Sequence, residues 1–155
     1  MTAPTLAAPL GVATTDLLDR AYVSLVQSCY APTSAERYVA AHLAALRAGA
    51  ALLAARSRPE RRARPRSVWE VLPQVAPELG EWAAFYTSSA RRRAQIEQGG
   101  TSPAREADDL LRQSEQFLTL VEGVLAAPPH PALPPLRVTH VEPRQEPRGE
   151  VRGDD

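Results

Sequence analysis

The sequence predicts an all-α protein, a mostly up-and-down bundle of four long helices and one short one. Three observations carry that expectation. Apolar residues recur at three- and four-residue steps through long segments. Serine, threonine and proline mark the starts of these segments and a glycine pair marks one end. No segment alternates apolar and polar residues as a strand does. The 155 residues suffice for one domain with a core and are too few for two of ordinary size. No internal repeat is evident.

The elements follow in order. Residues 1–13 read as an unstructured tail, and the first helix as residues 15–29, capped by Thr14 or Thr15. It places Leu18, Tyr22, Leu25 and Cys29 on one face. The second helix starts after Pro32 at Thr33-Ser34-Ala35-Glu36, a capping box. Its apolar line is Val39, Leu43, Leu46, Ala50 and Leu53, which predicts the seam of a packed bundle helix. Residues 57–66, with five arginines and two prolines, read as a basic linker. Ser67 and Glu70 form a second capping box, for a short helix holding Val68, Trp69 and Leu72. Pro77 suits the first turn of the next helix, which carries Leu79, Trp82, Tyr86 and Ile96 and stops before Gly99 and Gly100. The last helix starts at Ser102-Pro103 and ends near Ala126, with Leu110, Phe117, Val121 and Val124 on one face. The bundle therefore spans residues 14–126. Residues 127–155 hold seven prolines and few apolar side chains, a composition expected to stay unstructured.

Composition excludes several functions. Net charge is zero, so no global field draws nucleic acid or membrane. All 18 basic residues are arginine, which lowers the meaning of any one arginine. The single Cys29 reads as a small core residue in a reducing compartment. The start of the chain lacks the basic opening of a signal peptide. The apolar run 38–55 is mostly alanine and is interrupted by His42 and Arg47, too weakly apolar for a membrane span. A cytoplasmic protein with no membrane contact is expected. No phosphate loop, nucleophile elbow, zinc spacing or paired-carboxylate signature occurs, so no metal and no cofactor are expected. His130 and His140 have no ligand-type neighbours in sequence, and the Arg-Gly-Asp at residues 152–154 carries no weight in a cytosolic tail.

Two residues stand out in "ERYVAAHLAALRAGAALLAAR", residues 36–56. Arg37 lies in a first helical turn, where the dipole disfavours a cation by up to about 1 kcal/mol. It has no acid three or four residues away. Two readings stay open: it holds a phosphate beside the helix amides, or it pairs with a carboxylate on another helix. His42 lies about 140° around the helix from Arg37 and borders the apolar line. It suits proton transfer near neutral pH, or a partly buried place at the core edge. The run Arg91-Arg92-Arg93 suits RNA phosphates or a solvated face. The acids Glu106, Asp108 and Asp109 suit a helix start, with Asp108 able to pair with Arg112.

The stretch around Arg37 and His42, with "SVWEVLPQVAPELGEWAAFY" and "READDLLRQSEQFLTLVE", resembles the HEPN superfamily, and within it a small actinobacterial family. The likeness covers residues 15–126 and rests on these stretches together, because the Arg-x4-His spacing alone arises about once by chance in so arginine-rich a chain. The resemblance implies a helical domain, a homodimer and, in catalytic members, metal-independent cleavage of RNA at a shared interface. His42 would then act as general acid or base and Arg37 would stabilise the phosphorane. It also implies RNA or a regulatory protein as partner. The alternative is a non-catalytic HEPN-type module that binds RNA, a nucleotide or a protein.

Overall fold

The computed structural model describes residues 9–56 and 66–140. Five α-helices occur among them: α1 (Val12–Tyr30), α2 (Ser34–Arg56), α3 (Val68–Val75), α4 (Gly80–Glu97) and α5 (Ala104–Val124), with a 3-10 turn at Pro77–Leu79. No strand occurs among the described residues, only one isolated bridge between Thr33 and His140. The fold is all-α, as the periodicity predicts.

Local chemistry sets the boundaries. Thr33 Oγ1 accepts from the Glu36 amide at 3.2 Å, and Ser67 Oγ from the Glu70 amide at 3.3 Å, so the threonine and serine halves of the two predicted capping boxes form. At the end of α4 the Gly100 amide reaches Gln95 O and the Gly99 amide reaches Ile96 O. This motif needs a left-handed residue, and Gly99 supplies it at φ 97°. The same pattern closes α5, where Ala127 reaches Glu122 O and Ala126 reaches Gly123 O. There an alanine takes the left-handed position, at φ 51°. One helix starts earlier than expected: α1 begins at Val12 with Gly11 before it, and Thr14 is buried within it.

Cross-helix contacts give the topology. Ser24 and Ser28 of α1 meet Arg47 and Arg37 of α2 in reversed order, so these two helices run antiparallel. Tyr86 and Arg92 of α4 meet Ser114 and Glu106 of α5 in the same reversed sense. The central helix is α2. Its core face is made of small residues, Ala41, Ala44, Ala45, Ala48, Gly49 and Ala51, with Leu52. At Gly49 a Cβ would lie 2.8 Å from Val68 Cγ1, so glycine is what lets α3 approach.

This corrects the expected seam. Val39, Leu43, Leu46, Ala50 and Leu53 are all only partly buried, and the alanine face turns inward instead. An alanine-rich helix is apolar on every side, so periodicity cannot choose its inner face. Close packing selects the side with the smallest residues. By length and hydropathy α2 also passes for a membrane span, with mean hydropathy 1.5 over its best window, so the run is more apolar than expected. Half of that window is buried in the bundle, which accounts for its character without a bilayer.

The expectation of a wholly unstructured C-terminal segment also differs from the structure. Residues 127–140 form a strap across the bundle. The Arg137 amide donates to Cys29 O at 2.9 Å and the His140 amide to Pro32 O at 2.9 Å, while Leu133 and Leu136 pack on the core. Two leucines and two backbone bonds offset an ordering cost that prolines already reduce. Residues 1–8, 57–65 and 141–155 lie outside the described residues, and with them most of the basic linker and the Arg-Gly-Asp tripeptide.

Candidate functional site

Arg37 is 2% exposed and lies where the C-terminal end of α1, the first turns of α5 and the strap converge. Its Nε donates to Ser28 O at 3.0 Å, and its Nη2 donates to Cys29 O at 3.2 Å and to Arg137 O. Its Nη1 pairs with Asp108 Oδ1 at 2.6 Å. Four of the five donors of a guanidinium are thus engaged. Ser28 Oγ completes the knot by donating to Arg37 O at 2.9 Å.

This arrangement explains the sequence anomaly. Arg37 is poorly placed for the dipole of its own helix, yet its charge lies against the last carbonyls of α1, where a cation is favoured. Of the two readings left open, the structure displays the pairing with a carboxylate on another helix. That partner is Asp108, whose expected neighbour Arg112 does not take it. No local signal in the sequence identifies it, since the two residues are far apart along the chain.

His42 is 1% exposed and points to the other side of the bundle. Its ring packs edge-on against Trp69 and Tyr86, both with centroids at 5.9 Å. Nδ1 lies 2.9 Å from Ser89 Oγ, which also accepts from Tyr38 Oη at 3.1 Å. Burial, with the nearby positive charge of Arg93, lowers its pKa to about 4. The imidazole is therefore neutral at pH 7, and its Nδ1 shares with Ser89 Oγ a hydrogen bond whose direction follows the ring tautomer, while Ser89 Oγ accepts from Tyr38. Tyr38 thus has a definite task between the two candidates. Nearby, a groove of about 450 Å³ is lined by Tyr38, Phe85, Ser89, Arg92, Glu106 and Asp109 among others. Ser89, absent from the sequence-level candidates, stands between that groove and the histidine. A lone serine in a helix gives no signal in sequence.

The arginine run divides. Arg92 holds Glu106 with two bonds, at 2.7 and 3.0 Å, and Thr101 O with a third at 2.7 Å. That contact keeps the Glu106 carboxyl below the usual carboxylate range. Arg93 pairs with Glu97 at 3.1 Å. Arg91 is exposed. Among the described residues no three of His, Cys, Asp and Glu form a metal-ligand group.

A family model described as SAV_6107-like HEPN matches residues 28–122, more than half of the chain. The chain belongs to that HEPN family. The matched stretch runs from Ser28, whose carbonyl holds Arg37, to Glu122 near the end of α5. It excludes most of α1 and the whole strap, so one of the four bonds to Arg37 comes from outside the HEPN match. No curated protein and no solved structure matches the chain.

Proposed function

We propose that this chain is a non-catalytic HEPN-type helical module, cytoplasmic, whose work is to bind protein. The observation that carries this reading is the closed network around Arg37. A phosphoryl group needs free donors, and four of those on this guanidinium are already spent inside the bundle. The ribonuclease reading requires Arg37 and His42 to reach one phosphate. Their side chains instead engage different sets of helices, α1 and α5 for the arginine, α3 and α4 for the histidine. Protein is the favoured partner over RNA because Arg92 and Arg93 are tied to carboxylates and net charge is zero. The buried, unpaired Cys29 supports a reducing compartment.

The test incubates labelled RNA with the purified chain in EDTA. Wild type is expected to leave the RNA intact. Cleavage by wild type that disappears in His42→Ala or Arg37→Ala, with helicity retained by circular dichroism, would sink this reading and restore the ribonuclease.

A further inference from the structure

The strap repeats in threes. Ala127, His130, Leu133, Leu136 and Thr139 are each half-buried, at every third position from 127 to 139. Ala127, Leu133 and Leu136 pack on the core, and His130 lies between Asp19 and Glu122. The backbone keeps the same period. The amides that donate to Cys29 O and Pro32 O belong to Arg137 and His140, three residues apart. A β-strand would show a period of two, whereas three residues per turn is the period of polyproline II. The strap is therefore a ribbon of that kind, with one edge on the bundle and two edges facing outward.

All five prolines of the ribbon lie on the two outer edges. One edge runs Pro128, Pro131, Pro134, Arg137, and the other Pro129, Ala132, Pro135, Val138. Pro134 is half-buried and the other seven are exposed, Val138 to 79%. Stiffness does not require that placement, because a proline ring fixes φ whichever way it faces. The Arg137 side chain has no hydrogen-bond or ion-pair partner among the described residues, although both backbone groups of that residue are engaged.

We propose that this outer ridge is the docking surface for a partner protein that reads polyproline II through a shallow groove of tryptophan and tyrosine rings, with a carboxylate at one end for Arg137. The proposal rests on the reading of the chain as a protein-binding module and names the chemistry of its partner. Proline rings at three-residue spacing fit between aromatic rings, and Arg137 gives an otherwise apolar ridge its direction. RNA is a poor occupant, since the eight outer residues carry one cation and no aromatic ring. The partner docks with the strap in place. Because the bundle already holds the ribbon, binding loses little chain entropy. From Pro128 to Val138 the ridge is about 31 Å long and narrow, which sets the affinity in the micromolar range.

Isothermal titration of the full chain against a panel of isolated SH3 and WW domains is expected to give at least one complex with a Kd below about 500 µM. Arg137→Glu, and separately Pro131→Ala with Pro134→Ala, are each expected to weaken that complex at least about tenfold. Arg112→Glu, which reverses an exposed charge on α5, is expected to leave it unchanged. The melting curve of Arg137→Glu is expected to match wild type, because both backbone bonds of that residue remain. Leu133→Ser with Leu136→Ser frees the inner edge and keeps the outer ones, and is expected to weaken binding several-fold. A panel in which no domain binds more tightly than about 500 µM overturns the proposal. A complex indifferent to Arg137→Glu or to the proline pair overturns it too, since the partner then sits elsewhere. Unchanged or tighter binding by the leucine pair overturns docking in place, in favour of a strap read only after release. The RNA cleavage experiment decides the module reading separately, whatever this titration shows.

Discussion

Arg37 and His42 lie little more than a turn apart on α2, both are almost wholly buried, and the protein handles them in opposite ways. The arginine keeps its charge and is surrounded by acceptors: three carbonyls and one carboxylate. The histidine gives up its charge and is surrounded by rings, with one hydroxyl at Nδ1. The difference follows from intrinsic proton affinity. A guanidinium cannot be neutralised at any physiological pH, so burial forces the chain to supply partners. An imidazole escapes the same penalty by losing its proton. One residue thus works as a clamp between elements and the other as a shaped, polar-edged piece of aromatic core.

The largest expected effect breaks the clamp. Arg37→Ala leaves Asp108 without its cation and three carbonyls without a donor, and is expected to cost about 3–5 kcal/mol. In a domain of this size that lowers Tm by roughly 10 °C. Arg37→Lys keeps the charge but replaces a planar fork by a point donor, and is expected to recover only about half of the loss. Calorimetry on both variants checks this. A loss under about 1 kcal/mol for Arg37→Ala shows that the network is ornamental and that the arginine is free for another task.

A smaller effect separates the histidine from the arginine by pH. The folded His42 has a pKa of about 4 against 6.5 for the ordinary value, so the unfolded chain binds the extra proton between those values. Stability then falls as pH drops below 6.5, and the loss is nearly complete at pH 4. The shift corresponds to about 3 kcal/mol at most. His42→Asn is expected to be less stable at pH 7 and to show a flatter slope from pH 7 to 4 in urea unfolding. An unchanged slope means that the acid sensitivity belongs to other groups.

The two residues also mark how far the sequence is legible. Helix starts are local events, and Thr33 with Glu36 and Ser67 with Glu70 could be read directly from four-residue patterns. The inner face of α2 could not, because apolar residues lie on all its sides and only the approach of α1, α3 and α5 selects the alanines. The Arg37–Asp108 pair joins distant parts of the chain, and nothing local announces it. Prolines at 128–135 suggested an unstructured segment. Proline equally favours an extended strap once Leu133 and Leu136 find a surface. The HEPN resemblance reached the family, because long helical stretches carry that signal. It did not reach the state of Arg37 and His42, which depends on what surrounds them.

The smallest effect sharpens the comparison with a third case, His130, a histidine whose pKa moves in the other direction. Burial pushes its pKa down, but Glu122 at 3.0 Å and Asp19 at 2.9 Å outweigh it, and the net shift is upward. Both ring nitrogens face carboxylate oxygens, which suits the doubly protonated ring, and Tyr22 stacks on it at 4.8 Å. The sign is opposite to that of His42. The folded state binds the extra proton, so this contribution is complete below pH 6.5 and is lost as pH rises through the raised folded value. Because Asp19 is largely exposed, the gain is about 1 kcal/mol or less. It acts on the strap that carries the Arg137 carbonyl to Arg37. Amide exchange at Arg137 and His140, corrected for intrinsic rates, is expected to quicken several-fold from pH 6 to 8 in wild type and to be uniformly fast in His130→Gln. Exchange that ignores both pH and substitution would place the hold on the strap in Leu133 and Leu136 alone, leaving the imidazolium a bystander.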